Sequence, residues 1–185
     1  FFTLMKGYEF SEKEVDPKIE FFSILQHFKG KHSGKPFILE PWQQWVIANI
    51  YGFFNSDGTR LTQTAYIEIA RKNGKTALAA GMGLDGLIND GEDGAEIYFA
   101  ANSRDQVKIS AWPLCSNFAE GIDPSGKILT VYRDTVKFDA TKSFLKVLAS
   151  DSTKLDGPDP HMFILDEYHA AKTNSVKAVL ESGQG

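Results

Sequence analysis

Cysteine is nearly absent. Cys115 stands alone among 185 residues, which excludes an internal disulfide framework and makes a reducing, intracellular setting the default. Long apolar runs are also missing. The longest stretch without a charge, Pro41 to Ser56, is interrupted by Gln43, Gln44 and Asn49, so no segment reads as a membrane span. There is no basic excess: 20 Lys plus Arg face 24 Asp plus Glu, for a net charge of -4. A surface that is basic throughout is thereby excluded, and any attraction for phosphates is confined to a local groove. The start at Phe1, with no basic stretch ahead of an apolar one, predicts a trimmed fragment and no signal peptide. Paired cysteines for zinc are lacking, and His161 and His169, which bracket Asp166, match no zinc spacing. Ser150 to Asp159 is rich in oxygens but lacks the acidic spacing of a calcium loop. Internal repeats and low-complexity segments are absent. The length fits one domain, or one and a small extension, with roughly 70 % of the extended surface buried on folding.

What is present is an alternation of helix and strand patterns. Phe21, Phe22, Leu25 and Phe28 share a helical face, and a second helix is predicted from Pro41 to Gly52, in which Trp42 and Trp45, at helical spacing, read as core. Ala65 to Ala70 reads as a largely buried strand, followed by the loop Arg71-Lys72-Asn73-Gly74-Lys75-Thr76 and a helix over Ala77 to Asn89. Gly81, Gly83 and Gly86 weaken that helix and so imply close packing against it. Glu96 to Ala101 reads as another strand, then a helix from about Arg104 to Ala119, capped by Asn102 or Ser103 and bent or split by Pro113. Three short runs within Ile128 to Leu148 predict an antiparallel insertion or edge meander. Met162 to Leu165 reads as a buried parallel strand carrying Asp166 and Glu167 at its carboxyl end, and a last helix is predicted from about Thr173.

Two constellations carry chemistry. A phosphate loop needs consecutive backbone N–H groups at a helix N-terminus, a lysine for the outer phosphates and a hydroxyl for Mg2+. Gly74, Lys75 and Thr76 match the end of the G-x-x-x-x-G-K-[ST] pattern, while Ile69 occupies its first glycine position. The bland alternative is a surface turn ahead of an ordinary helix. Phosphoryl transfer further needs one carboxylate for the metal and one to orient or deprotonate water, roles that suit Asp166 and Glu167. Otherwise these two residues merely cap the following helix. Arg71 is placed to stabilise charge on a γ-phosphate. Gln43 or Gln44 has the paired donor and acceptor that read an adenine edge. Cys115 reads as a small buried hydrophobe.

Taken in order, these segments resemble the ATPase domain of the large terminase subunit of tailed double-stranded DNA bacteriophages and their prophage relatives. The resemblance is carried by Leu39-Glu40-Pro41-Trp42-Gln43, by Ala70-Arg71-Lys72-Asn73-Gly74-Lys75-Thr76 as a deviant Walker A, by Ala100 to Gln106, and by Leu155 to His161 leading into Ile164-Leu165-Asp166-Glu167-Tyr168-His169 as a Walker B region. It implies an α/β fold with a doubly wound, mostly parallel sheet of P-loop (RecA-like ASCE) type, helices on both faces and a short antiparallel insertion. It also implies a helical extension over residues 1–36, an ATPase domain over 37–185, and a chain that stops before the coupling motif and the nuclease domain. By this likeness, Gln43, Arg71, Lys72, Asn73, Gly74, Lys75 and Thr76 would bind ATP, Thr76 and Asp166 would hold Mg2+, and Lys75, Arg71 and Glu167 would be catalytic. The implied partners are double-stranded DNA, a small terminase subunit, a portal protein and further copies in a ring, in the cytoplasm of a bacterial host and without a membrane. Arg104 and Arg133 are candidates for an arginine acting across subunits. Two other readings remain open: a superfamily 2 helicase or translocase, since Asp166-Glu167-Tyr168-His169 also spells a DExH box, and a nucleotide-binding regulatory module without turnover.

Overall fold

Residues 8–101, 107–149, 157–168 and 175–183 are described by the structure, a computed structural model, and the chain divides between Asn73 and Gly74 into two units. In the first, β1 (Tyr8–Phe10) pairs antiparallel with β2 (Phe53–Asn55), and Phe10 meets Phe53 at a centroid distance of 5.0 Å. Helices α1 (Glu12–Ile24) and α2 (Pro41–Tyr51) pack together between them. Phe21, Phe22 and Leu25 are buried as their spacing requires.

Helix α2 begins with Pro41, where a missing N–H is no loss, behind a reciprocal cap. Glu40 accepts from the Gln43 backbone, and Gln43 Oε1 accepts from the Glu40 N–H at 2.8 Å. The cap draws Gln43 inside and centres the buried stripe on Gln43, Val46, Ile47 and Tyr51. Trp45 is consequently 63 % exposed and not core, because the stripe is rotated by about one residue from the one its own spacing suggests.

The expected strand over Ala65 to Ala70 does not form. Residues 64–70 have no ladder partner among the described residues, and Tyr66 is 76 % exposed. β-Branched and aromatic residues supply strand propensity only against a neighbouring strand, and this segment has none.

The second unit is built on a sheet in the order β4 (Leu129–Val131), β5 (Thr135–Phe138), β6 (Ser143–Ala149), β3 (Glu96–Ala101), β7 (Pro160–Asp166). Strands β6, β3 and β7 are parallel, whereas β4, β5 and β6 form the expected antiparallel meander. With parallel and antiparallel pairings in equal number, the sheet is mixed, which corrects the mostly parallel expectation. The meander is a full half of the sheet and not a minor insertion. Helix α3 (Lys75–Asn89) lies on the face of Ile97, Leu145 and Ile164, and α5 (Ser175–Gly183) covers the opposite face over Tyr98, Ala100 and Leu148. Between β3 and β4, a π-helical turn (Val107–Ala111) runs into α4 (Trp112–Ile122). Pro113 occupies the first turn of α4, so the split expected of it falls at Ala111, where the wider turn absorbs its missing hydrogen bond. Asn102 to Gln106, including Arg104, and Leu155, Asp156 and His169 lie outside the described residues. Among the described residues no helix is long and apolar enough to cross a membrane.

Candidate active site

Parallel pairing aligns the ends of strands, and here it brings Ala101 of β3 level with Asp166 of β7. Four apolar residues, Met162 to Leu165, hold β7 in the sheet until Asp166, and the chain leaves the strand at Glu167. Glu167 does so in the left-handed region, at φ 54°, a conformation that costs a non-glycine residue roughly 1–2 kcal/mol.

At the N-terminus of α3, Gly74 is also left-handed, at φ 76° and ψ 16°, and as N-cap it accepts the first helical bond, Leu78 N–H to Gly74 O at 2.9 Å. Lys75, Thr76 and Ala77 therefore form a first turn whose N–H groups have no acceptor within the helix and lie at the positive end of its dipole. The helix lies close to the sheet because it carries glycine where it meets it. A Cβ on Gly83 would sit 2.9 Å from Leu145 Cδ1, and one on Gly86 would sit 3.0 Å from Met162 Cε.

This packing brings two pairs together. Thr76 Oγ1 donates to Asp166 Oδ2 at 2.9 Å across 90 residues of sequence, and Lys75 Nζ lies 3.4 Å from Glu167 Oε1. Burial pushes the Asp166 carboxyl up from the usual carboxylate range. The Thr76 hydroxyl and Lys75 oppose that shift, and the charge of Glu167 adds to it. Lys75 and Glu167 are 24 % and 25 % exposed, open enough for a ligand to reach them.

Among the described residues, no group of three or more His, Cys, Asp or Glu side chains could cage a metal ion. A hydroxyl and a carboxylate 2.9 Å apart instead suit Mg2+, a hard cation that takes one or two protein oxygens and completes its shell with water and phosphate. The desolvated Asp166 carboxylate is an anion in need of such a counter-charge.

Of the other expected site residues, Gly74 caps α3, and Gln43, Arg71, Lys72 and Asn73 belong to the first unit. Gln43 Oε1 is engaged in the α2 cap. Arg71 and Lys72 are exposed, with Lys72 left-handed at φ 68°, and Asn73 Nδ2 donates to Ala70 O at 3.0 Å. Arg133 lies in the exposed turn between β4 and β5. His161 meets the carboxylate of Asp90 at 2.9 Å. Cys115 is buried as expected, and burial pushes its thiol well above the ordinary range, which favours the uncharged form.

Sequence reasoning missed Asp123, a buried residue at the end of α4. Its carboxylate accepts from the Ser125 hydroxyl at 2.6 Å and from the N–H groups of Ile128 and Leu129, which sets the start of the meander. The signal was the Asp-Pro-Ser-Gly turn, whose first residue commonly bonds the backbone ahead.

Comparison with known proteins places the chain in a family. The family of the ATPase domain of the terminase large subunit matches residues 41–183. The terminase large subunit of Enterobacteria phage HK97 is 32 % identical over 159 residues, which are 80 % of this chain and 29 % of that protein. The crystal structure of the HK97 bacteriophage large terminase superposes with a TM-score of 0.76 at 24 % identity, over 92 % of this chain and 35 % of the other. The chain thus spans about a third of the length of these relatives.

Proposed function

The chain belongs to the family of terminase large-subunit ATPase domains, and from that premise we propose that its Lys75, Thr76, Asp166 and Glu167 form the catalytic centre of an Mg2+-dependent ATPase that drives double-stranded DNA into a phage procapsid. One observation carries the reading: the hydroxyl of the glycine-loop helix meets the strand-end carboxylate at 2.9 Å, with a lysine and a glutamate 3.4 Å apart beside them. A bland surface turn would have no reason to meet Asp166, and a helix-capping pair would have none to meet Lys75.

Lys75 and the free N–H groups at the start of α3 would take the β- and γ-phosphates. Thr76 and Asp166 would hold Mg2+, which when bound neutralises charge on the phosphate oxygens. Glu167 would orient the attacking water and take its proton, and the γ-phosphate would compete with Glu167 for Lys75. Arg71 is assigned to the γ-phosphate, and Lys72, Asn73 and Gly74 to the phosphate loop. Gln43 is assigned to the adenine side through its Nε2, because its Oε1 serves the helix cap.

The P-loop, RecA-like fold type and the division at residue 36 are part of the same proposal, supported by a family match that begins at Pro41. So are a ring of copies, a small terminase subunit and a portal protein as partners, and the host cytoplasm as the place of work. Glu167 favours turnover over a purely regulatory role, since a binder needs no residue to handle water.

The test is phosphate release from ATP with Mg2+, with and without linear duplex DNA. Activity that needs Mg2+, rises with duplex DNA and vanishes in Lys75→Ala is expected. In Arg71→Ala, kcat should fall much more than affinity. Turnover that survives Lys75→Ala would overturn the assignment.

A further inference from the structure

Among the described residues, one face of the meander is covered only in part, with Lys137 exposed and Lys146 half-buried. Register places Lys146 between Thr135 and Tyr98, and Lys137 between Thr130 and Phe144, so Lys137 and Lys146 share the face that carries Tyr98. Helix α5 covers this face over Tyr98, Ala100 and Leu148. Beyond it, Ile128 and Tyr132 remain 55 % and 52 % exposed.

The charge of the meander segment is opposite in sign to that of the whole chain. Residues 127–148 hold five basic side chains, Lys127, Arg133, Lys137, Lys142 and Lys146, against two acidic ones, Asp134 and Asp139, in a chain of net charge -4. Among the described residues, none of the five is in an ion pair. Lys137 Nζ instead sits over the Tyr132 ring, 5.3 Å from its centroid. Glu96, the acidic residue on the same face, accepts from the Tyr98 hydroxyl at 2.8 Å and from the Asp159 N–H at 3.0 Å. Lys137 and Lys146, neither in an ion pair among the described residues, thus stand on paired strands beside an aromatic ring and an aliphatic side chain, with the Glu96 carboxylate one strand position beyond Phe144 and bonded to neutral donors.

We propose that this face of the β4–β5–β6 meander, centred on Tyr132, Lys137 and Lys146, is a docking surface for the phosphate backbone of duplex DNA. The proposal rests on the DNA-translocating reading above and supplies it with a contact surface. Unpaired ammonium groups on a fixed sheet attract a polyanion without regard to sequence, as a protein that moves along DNA requires. Tyr132 contributes a hydroxyl that can meet a phosphate oxygen.

Binding of a short fluorescein-labelled duplex of random sequence, followed by anisotropy across a KCl series, tests it. Lys137→Gln with Lys146→Gln should weaken binding by about 5-fold per lysine near physiological salt and flatten the salt slope by about 2. Lys137→Gln alone, at an exposed site that leaves folding intact, should flatten it by about 1. Replacing both lysines with arginine should restore slope and affinity. Lys13→Gln in α1, the same change of charge elsewhere, should alter neither.

Wild-type binding to duplex that is unchanged in the Gln variants would overturn the surface and leave the motor reading standing. No salt-dependent binding by the wild type would overturn both. Displacement of the duplex by polyglutamate as effectively as by unlabelled DNA would overturn the assignment to DNA in favour of an acidic polypeptide.

Discussion

Glu167 is expected to weaken the fold while it serves the reaction, and two substitutions separate these effects. Its backbone sits at φ 54°, where a residue with a Cβ is strained by roughly 1–2 kcal/mol and glycine is not. Its carboxylate lies 3.4 Å from Lys75 Nζ, with each side chain about a quarter exposed, so the ion pair contributes only about 0.2–1 kcal/mol. Glu167→Gln loses the pair and keeps the strain. Glu167→Gly loses the pair and the strain together. The pair cancels when the two variants are compared, and the difference isolates the backbone term: the Gly variant should melt about 2–8 °C above the Gln variant, taking about 2–4 °C per kcal/mol at this chain length. Both should lose ATP turnover by about 10²–10⁴-fold if Glu167 is the base. With Lys75 released, the Gln variant should also bind nucleotide up to about 5-fold more tightly, which is the upper value of the pair restated as an affinity. Thermal melts, phosphate release and titration with a fluorescent ATP analogue read out the three terms. A Gly variant no more stable than the Gln variant would refute the strain, and wild-type turnover in the Gln variant would refute the base.

Thr76→Val keeps the shape of the side chain and removes the donor that Asp166 uses at 2.9 Å. A desolvated carboxylate stripped of one hydrogen bond should lower stability by about 1.5–3 kcal/mol, and hydrolysis should need more Mg2+, as a melt and a Mg2+ titration would show. Gly83→Val forces two methyl groups against Leu145 and Ile164 and should cost about 1–3 kcal/mol, whereas Gly86→Ala meets the flexible end of Met162, with Asp90 Oδ2 at an ordinary contact distance of 3.6 Å, and should stay within about 1 kcal/mol of neutral. Equal melting points for these two variants would contradict the packing. Asp123 is held down at about 2 by the Ser125 hydroxyl and the N–H groups of Leu129 and Ile128. A depressed folded-state value means that its stabilisation is complete above the unfolded carboxylate value near 4 and is lost as the pH falls through about 2. Urea unfolding from neutral pH to pH 2 should therefore show a shallower acid limb in Asp123→Asn, and an unchanged limb would exclude the carboxylate as its source.

The candidate site was legible in the sequence wherever a residue's place in it and its local structure share one cause. Gly74 is needed both to start α3 and to open the loop, and Asp166 and Glu167 fall where an apolar run must leave a sheet, so composition and spacing located all three. The meander announced itself through alternation between Ile128 and Leu148. Partner-dependent features did not show. Ala65 to Ala70 has the letters of a strand, but whether it becomes one is decided by a neighbour. Trp45 lies outside because Gln43 folds back onto Glu40, although the Glu-Pro-x-Gln spacing was a readable sign of that cap. The left-handed backbone of Glu167 follows from the exit path of β7, and no single residue type encodes it.

Glycine also carries information at a distance from the chemistry. Thr76 reaches Asp166 only if α3 lies close enough to β7 for its first turn to meet the strand end, and that height is set at Gly83 and Gly86, within one or two turns of the helix from Asn89. A side chain at Gly83 that lifts the helix acts as a wedge between Leu145 and the α3 axis, and the displacement carries along a rigid helix toward its N-terminus. A hydroxyl-to-carboxylate contact of 2.9 Å tolerates a shift of a few tenths of an ångström before the hydrogen bond weakens, much less than the diameter of a methyl group. The small residues of α3 therefore belong to the site in the same sense as Thr76: they fix the distance over which its hydroxyl acts. Activity in a Gly83→Val protein should consequently fall at temperatures where the protein is still fully folded, a loss that destabilisation alone does not produce.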